Sequence, residues 1–135
     1  MTSVEEHFEA IRTRLLADEA IDVCTIVRDQ VTPSIGQMRA RLTFIDKSWF
    51  EFSEIARKEE GGNIVVVAYS YHWMDENNQL RIRWDNAEHY PKLPNFPHHR
   101  HEGDEKNVLP GEPMSLFTVL DIIADELKHS TGGRQ

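Results

Sequence analysis

Gln37-Met38-Arg39-Ala40-Arg41-Leu42-Thr43-Phe44 (37–44) is the stretch that decides the fold. Met38, Ala40, Leu42 and Phe44 occupy every second position, and Gln37, Arg39, Arg41 and Thr43 fill the others. A period of two sends the two sets to opposite faces of a β-strand. One face belongs to a core. The other meets water or a polar ligand, as antiparallel sheets allow.

The same period extends to both sides. Upstream, Ile21–Gln30 is rich in β-branched residues and reads as a strand, closed by turn chemistry at Thr32-Pro33-Ser34-Ile35-Gly36. The central strand runs over 37–46, and Asp46-Lys47-Ser48 turns the chain into Trp49–Lys58. Glu60-Gly61-Gly62-Asn63 is a hairpin signal before Ile64–Met74, and Asp75-Glu76-Asn77-Asn78 is another before Gln79–Trp84. Leu80, Ile82 and Trp84 share one face of that last strand, with Arg81 and Arg83 on the other. Tyr69, Tyr71 and Trp73 are expected on the side of Val65 and Val67, with Ser70 and His72 opposite. Connections this short predict an antiparallel meander of about five strands.

Helices flank the strands. Ser3-Val4-Glu5-Glu6 is a capping box, and Val4, Phe8, Ile11 and Leu15 follow at helical spacing, which predicts a helix over about 4–17. Leu116, Val119, Leu120, Ile123 and Leu127 predict a second over about 115–129. Residues 130–135 read as a disordered tail. The expected class is α+β: one domain over 1–135, with an N-terminal and a C-terminal helix packed on one face of the sheet.

Composition narrows the function classes. The 135 residues carry 15 Lys and Arg against 23 Asp and Glu, a net charge of −8. An acidic chain repels phosphate at long range, so generic coating of nucleic acid is disfavoured; a local basic groove is not, because salt screens beyond about 10 Å. No run approaches the ~18 apolar residues of a membrane span, and the acidic N-terminus lacks a signal-peptide core. Cys24 is the single cysteine, which excludes an internal disulfide framework and a cysteine-rich zinc site. It is expected to be a small buried hydrophobe. The cytoplasm is the expected compartment, with no membrane partner.

The chemistry gathers in a long segment, 85–113, which holds five of the six prolines and four of the seven histidines. Loops of that length are usually functional or disordered, and its aromatic, His and Pro content argues for an ordered one. His89, His98, His99 and His101 can exchange protons near neutrality. Arg83 and Arg100 have the planar fork that clamps phosphate. Three chemistries fit these residues. In metal-free phosphodiester cleavage one histidine takes the 2′-OH proton, another protonates the leaving oxygen, and an arginine holds the phosphate. A metal site would use His98, His99 or His101 with Asp85, Asp104 or Glu105, without the spacing or thiolates of a zinc motif. In the third, the imidazoles bond to backbone in a proline-stiffened loop. Arg39, Arg41, Arg81 and Arg83 form either a cationic floor or a solvated face paired to Glu51 and Glu54. No phosphate-binding glycine loop is present, and no cofactor is expected.

Tyr-Ser-Tyr-His-Trp (69–73), Arg-Trp-Asp-Asn-Ala (83–87), His89, Pro91, Leu-Pro-Asn-Phe-Pro-His-His-Arg-His (93–101), Gly103, Glu105, Asn-Val-Leu-Pro (107–110) and Glu112-Pro113 occur in that order. Together with the closing helix they resemble the TumE family, small prokaryotic proteins described as toxins of toxin–antitoxin pairs. The resemblance covers about 69–127. It implies a neighbouring antitoxin, typically a helix-turn-helix protein, and toxicity by RNA cleavage. It carries over His72, Arg83, Asp85, Asn86, His89, His98, His99 and His101. Gly111 departs from a serine common in the family, which shifts the expected cap of the last helix to Ser115.

The leading expectation is thus a metal-independent endoribonuclease toxin. His98 and His101 are the first acid/base candidates, with His99, His89 and Asp85 behind them, Asp85 orienting a histidine. Arg83 is the expected phosphate clamp, and Arg81, Arg100, His72 and Asn86 complete the expected substrate contacts. The alternatives are a non-enzymatic binding module, whose arginine face docks an acidic partner, and a metal-dependent nuclease. A homodimer is a further candidate assembly.

Overall fold

A computed structural model describes residues 3–132. Helix α1 (Val4–Ala17) leads into seven strands, β1 (Ile21–Val31), β2 (Ile35–Phe44), β3 (Trp49–Lys58), β4 (Ile64–Met74), β5 (Leu80–Asp85), β6 (His99–Glu102) and β7 (Val108–Pro110). Helix α2 (Leu116–Gly132) closes the chain. The strands form one sheet in sequence order, each antiparallel to the next. Ser3 caps α1 by accepting from the Glu6 N–H, and Ser115 caps α2 by accepting from the Thr118 N–H at 3.1 Å.

Both helices lie on the apolar face. Val4, Phe8, Ile11 and Leu15 of α1 and Leu116, Leu120 and Ile123 of α2 join Met38, Leu42, Phe50, Phe52 and Tyr71 in one buried cluster. The alternation read at 37–44 is what makes this possible, because each buried side chain of β2 points at a helix. Among the described residues no helix covers the opposite face.

The α+β class stands, with seven strands rather than about five. The two extra strands, β6 and β7, lie inside the segment expected as loop, 85–113. The buried positions of β6 are His99 and His101 instead of aliphatics, so hydrophobic periodicity could not reveal it. Helix α2 continues through Gly132, into the segment expected as a tail; residues 133–135 lie outside the described residues.

Other corrections follow from register. A bulge between Ile55 and Ala56 leaves Val67 unpaired on β4. The phase inverts there, so Ile64 and Val66, not Val65 and Val67, pack on the core side with Tyr69, Tyr71 and Trp73. A second irregularity, between Trp73 and Met74, removes Arg81 from the ladder. Its guanidinium lies 4.7 Å from the Trp73 ring centre, on the helix side, away from Arg83. Glu54, expected on the polar face, is buried on the helix side, where it accepts from Tyr71 Oη at 2.8 Å and pairs with His7. Cys24 is exposed, in the middle of the edge strand β1.

Candidate functional site

Two cross-strand rows run over the helix-free face. One reads Arg41, Glu51, His72, Arg83, His101 from β2 to β6, and the next reads Arg39, Ser53, Ser70, Asp85, His99. Directly opposed residues share a face and stand about 5 Å apart. The meander therefore brings to one surface residues separated by up to 62 positions in the chain. Their far end, at β5 and β6, is where the chemistry concentrates.

Arg83 ties that end together. Its Nε donates to Asp85 Oδ2 at 3.1 Å, its Nη2 to His101 Nε2 at 3.0 Å, and its Nη1 to Glu105 Oε1 at 3.0 Å. His101 Nδ1 donates to the Glu105 carbonyl at 2.8 Å, which fixes a neutral ring with its Nε2 lone pair toward Arg83. His99 lies between two acceptors, the Pro97 carbonyl at 3.0 Å from Nδ1 and Asp85 Oδ1 at 2.9 Å from Nε2. Tyr90 sets its ring edge-on to both imidazoles, 4.9 Å from His99 and 6.1 Å from His101. Under this cover His99 is 3% exposed and His101 2%. Such groups hold position; a substrate does not reach them.

Outside the buried trio Asp85, His99 and His101 the rows are open or partly open, His72 and Arg83 included. His72 has its proton affinity lowered, first by burial and then by Arg83; Glu105 and Glu51 oppose this, and His101 adds the least. It is therefore neutral at pH 7 and able to accept a proton. Beside these residues an open cleft of about 490 Å³ is lined by Ser53, Ser70, Val67, Arg83, Asp85 and Asn86.

Asp85, His99 and His101 also offer ligand atoms within 4.8 Å of one another, a two-histidine, one-carboxylate set. Arg83 already supplies the positive charge there, bonded to both His101 Nε2 and Asp85 Oδ2. A divalent ion would have to displace that guanidinium, so the residues present fit a metal poorly.

The other expected residues fall elsewhere. His98 turns to the helix side, where its Nδ1 stands 2.7 Å from Tyr69 Oη and the rings stack. Burial, then His99, lowers its proton affinity, and burial pushes the Tyr69 hydroxyl up to about 12. His89 is exposed and packs edge-on to Tyr90. Arg100 bonds Glu102 and the Pro110 carbonyl, apart from the cleft. Asn86 borders the cleft but works on the backbone. Its Oδ1 accepts from the Tyr69 N–H at 2.9 Å and its Nδ2 donates to the Val67 carbonyl at 3.2 Å, which holds the bulge in shape. Sequence reading missed Tyr90 and the anchoring role of Glu105. Ser53 was missed as well, although counting by twos from Glu51 would have found it; Ser70 was placed on the right face, beside His72, but given no role.

Searches of curated proteins and of solved structures returned no match. The family model described as Toxin TumE matches residues 10–131, which include all seven strands and all but the last residue of α2. The polar-faced meander and its Arg83-centred cluster thus lie within the matched region, and the chain belongs to the TumE toxin family.

Proposed function

We propose that this toxin cleaves RNA on the helix-free face, without a metal. Membership in the family implies the role of toxin in a toxin–antitoxin pair. The single observation that carries the chemical reading is the cross-strand pairing of His72 with Arg83, the latter lining the cleft. Arg83 binds the scissile phosphate with the guanidinium edge that its protein partners leave open. Neutral His72 removes the 2′-OH proton, and the 2′-oxygen attacks the adjacent phosphorus. Arg83 stabilises the charge that develops there. The leaving 5′-oxygen takes a proton from water. Asp85, His99, His101 and Glu105 are positioning residues, which fix the rotamer of Arg83 before substrate arrives. The setting is the cytoplasm, and the partner is an antitoxin of helix-turn-helix type.

One observation favours a second reading, the non-enzymatic binding module. Arg41 is paired with Glu51 at 2.7 Å, and the two central histidines are closed off from solvent, as in a structural cluster. Expression in cells with and without the antitoxin, combined with RNA analysis, separates the two. In the ribonuclease reading the wild type degrades RNA and arrests growth, and His72→Ala and Arg83→Ala do neither while remaining folded. If His72→Ala stays fully toxic and RNA stays intact, the face is a docking surface.

A further inference from the structure

In the ribonuclease reading His72 removes the 2′-OH proton, and the 5′-oxygen that leaves must gain one. An in-line displacement puts these two oxygens on opposite sides of phosphorus. The base and the acid must therefore flank Arg83 from opposite sides. The row His72, Arg83, His101 runs across β4, β5 and β6 at steps of about 5 Å. His72 takes the β4 side of Arg83, so the acid belongs on the β6 side.

The polar side chains there are committed to one another or to backbone. Arg83 bonds Asp85, His101 and Glu105, and the Nδ1 atoms of His99 and His101 face backbone carbonyls. Tyr90 lies over this group. Its ring centre is 6.1 Å from that of His101, whose Nε2 is 3.0 Å from Arg83 Nη2. Tyr90 belongs to the loop between β5 and β6, whose first residues, Asn86, Ala87 and Glu88, border the cleft that Arg83 lines. Asn86 ties that loop to β4, and the Tyr90 carbonyl accepts from the Leu93 N–H at 3.2 Å, which fixes its turn. The chain has three tyrosines. Tyr69 Oη stands 2.7 Å from His98 Nδ1, and Tyr71 Oη donates to Glu54. Tyr90 Oη has no hydrogen-bond partner among the described residues. No buried polar side-chain atom described lacks a partner, so this hydroxyl reaches solvent. The neighbouring His89 is exposed and meets the Tyr90 ring at 6.3 Å, but among the described residues it meets no ring of the cluster beneath.

We infer that Tyr90 is a further catalytic residue, the general acid for the leaving 5′-oxygen. The inference rests on the ribonuclease reading. As the bond from the 2′-oxygen to phosphorus forms and the bond from phosphorus to the 5′-oxygen breaks, Tyr90 Oη passes its proton to the 5′-oxygen. The phenolate regains a proton from water, so water is the net source, and the proton taken by His72 returns to solvent. A phenol suits this task, because it carries its proton at neutral pH and yields it to a stronger base, the departing alkoxide.

Two substrates of one sequence test it: ordinary RNA, and RNA with sulfur in place of the 5′-bridging oxygen at one linkage. A thiolate is weakly basic and leaves without a proton. Tyr90→Phe keeps the ring over the histidines and removes only a solvent-facing hydroxyl, so its circular dichroism spectrum is expected to match the wild type. It is expected to cleave ordinary RNA about 10²-fold more slowly, yet to cut the sulfur linkage within about three-fold of the wild-type rate. His72→Ala is slow on both. A Tyr90→Phe protein as fast as wild type on ordinary RNA overturns the inference, as does one equally slow on both, which reduces Tyr90 to a cover. Sulfur rescue in His89→Gln and not in Tyr90→Phe also overturns it and gives the role to His89. In all these outcomes the ribonuclease reading stands. Folded wild-type protein that cuts neither substrate overturns that reading and this inference with it.

Discussion

Arg83 holds Asp85, His101 and Glu105 at once, and Lys cannot reproduce that geometry, because an ammonium lacks the planar fork. Arg83→Lys is expected to lower RNA cleavage by about 10²-fold or more, read against an unchanged circular dichroism spectrum. His72 and His98 give a separate prediction. Both have proton affinities below the ordinary 6.5 when folded, His72 through burial and Arg83, His98 through burial and His99. A histidine of that kind binds protons more readily in the unfolded chain. Its full contribution is present above pH 6.5 and is lost as pH falls toward the folded value. The urea midpoint is therefore expected to drop between about pH 7.5 and about pH 5, and to drop less in His98→Gln. An equal drop in that variant would place the pH sensitivity elsewhere. At this scale the sequence was half legible. Arg83, Asp85, His72, His99 and His101 were all recognisable by type. Which of them met depended on two irregularities in register, and those sent Arg81 away and decided the phase of Val67.

At the scale of elements, the bulge in β4 and the short strand β6 shape the site. Asn86 supplies a donor and an acceptor where the ladder is interrupted. Asn86→Ala leaves the Tyr69 N–H and the Val67 carbonyl without partners, and is expected to cost about 1–3 kcal/mol in urea denaturation. Gly111 explains how β7 returns so close to β6. A Cβ there would lie 2.9 Å from the His99 backbone, so Gly111→Ala must push the two chain segments apart. Its expected cost is about 1–3 kcal/mol, with lost toxicity because His99 moves with its strand. The five long strands and both helices were readable because their buried positions are apolar. The His-rich strand was not, because alternation in β6 sets His99 and His101 inward against Asp85 and Arg83, a polar core that no hydrophobic pattern marks.

The whole molecule combines a net charge of −8 with a face that carries Arg39, Arg41 and Arg83. Glu51, Asp85 and Glu105 pair with these arginines on the same face, so the charge balance alone gave no sign of them. Phosphate contacts on that face should respond to salt: raising monovalent salt from about 50 to about 200 mM is expected to weaken RNA binding by an order of magnitude or more, as gel-shift titration would measure. Among the described residues no helix is long and apolar enough to cross a membrane. The most direct measurement is the chemistry of the cut end. Purified toxin free of antitoxin would be incubated with a labelled RNA in EDTA, and the product ends analysed beside those from His72→Ala. The expected products carry 2′,3′-cyclic phosphate and 5′-hydroxyl ends, formed in EDTA by the wild type and not by the variant. Cleavage abolished by EDTA, or intact RNA with folded wild-type protein, would contradict the metal-free ribonuclease reading.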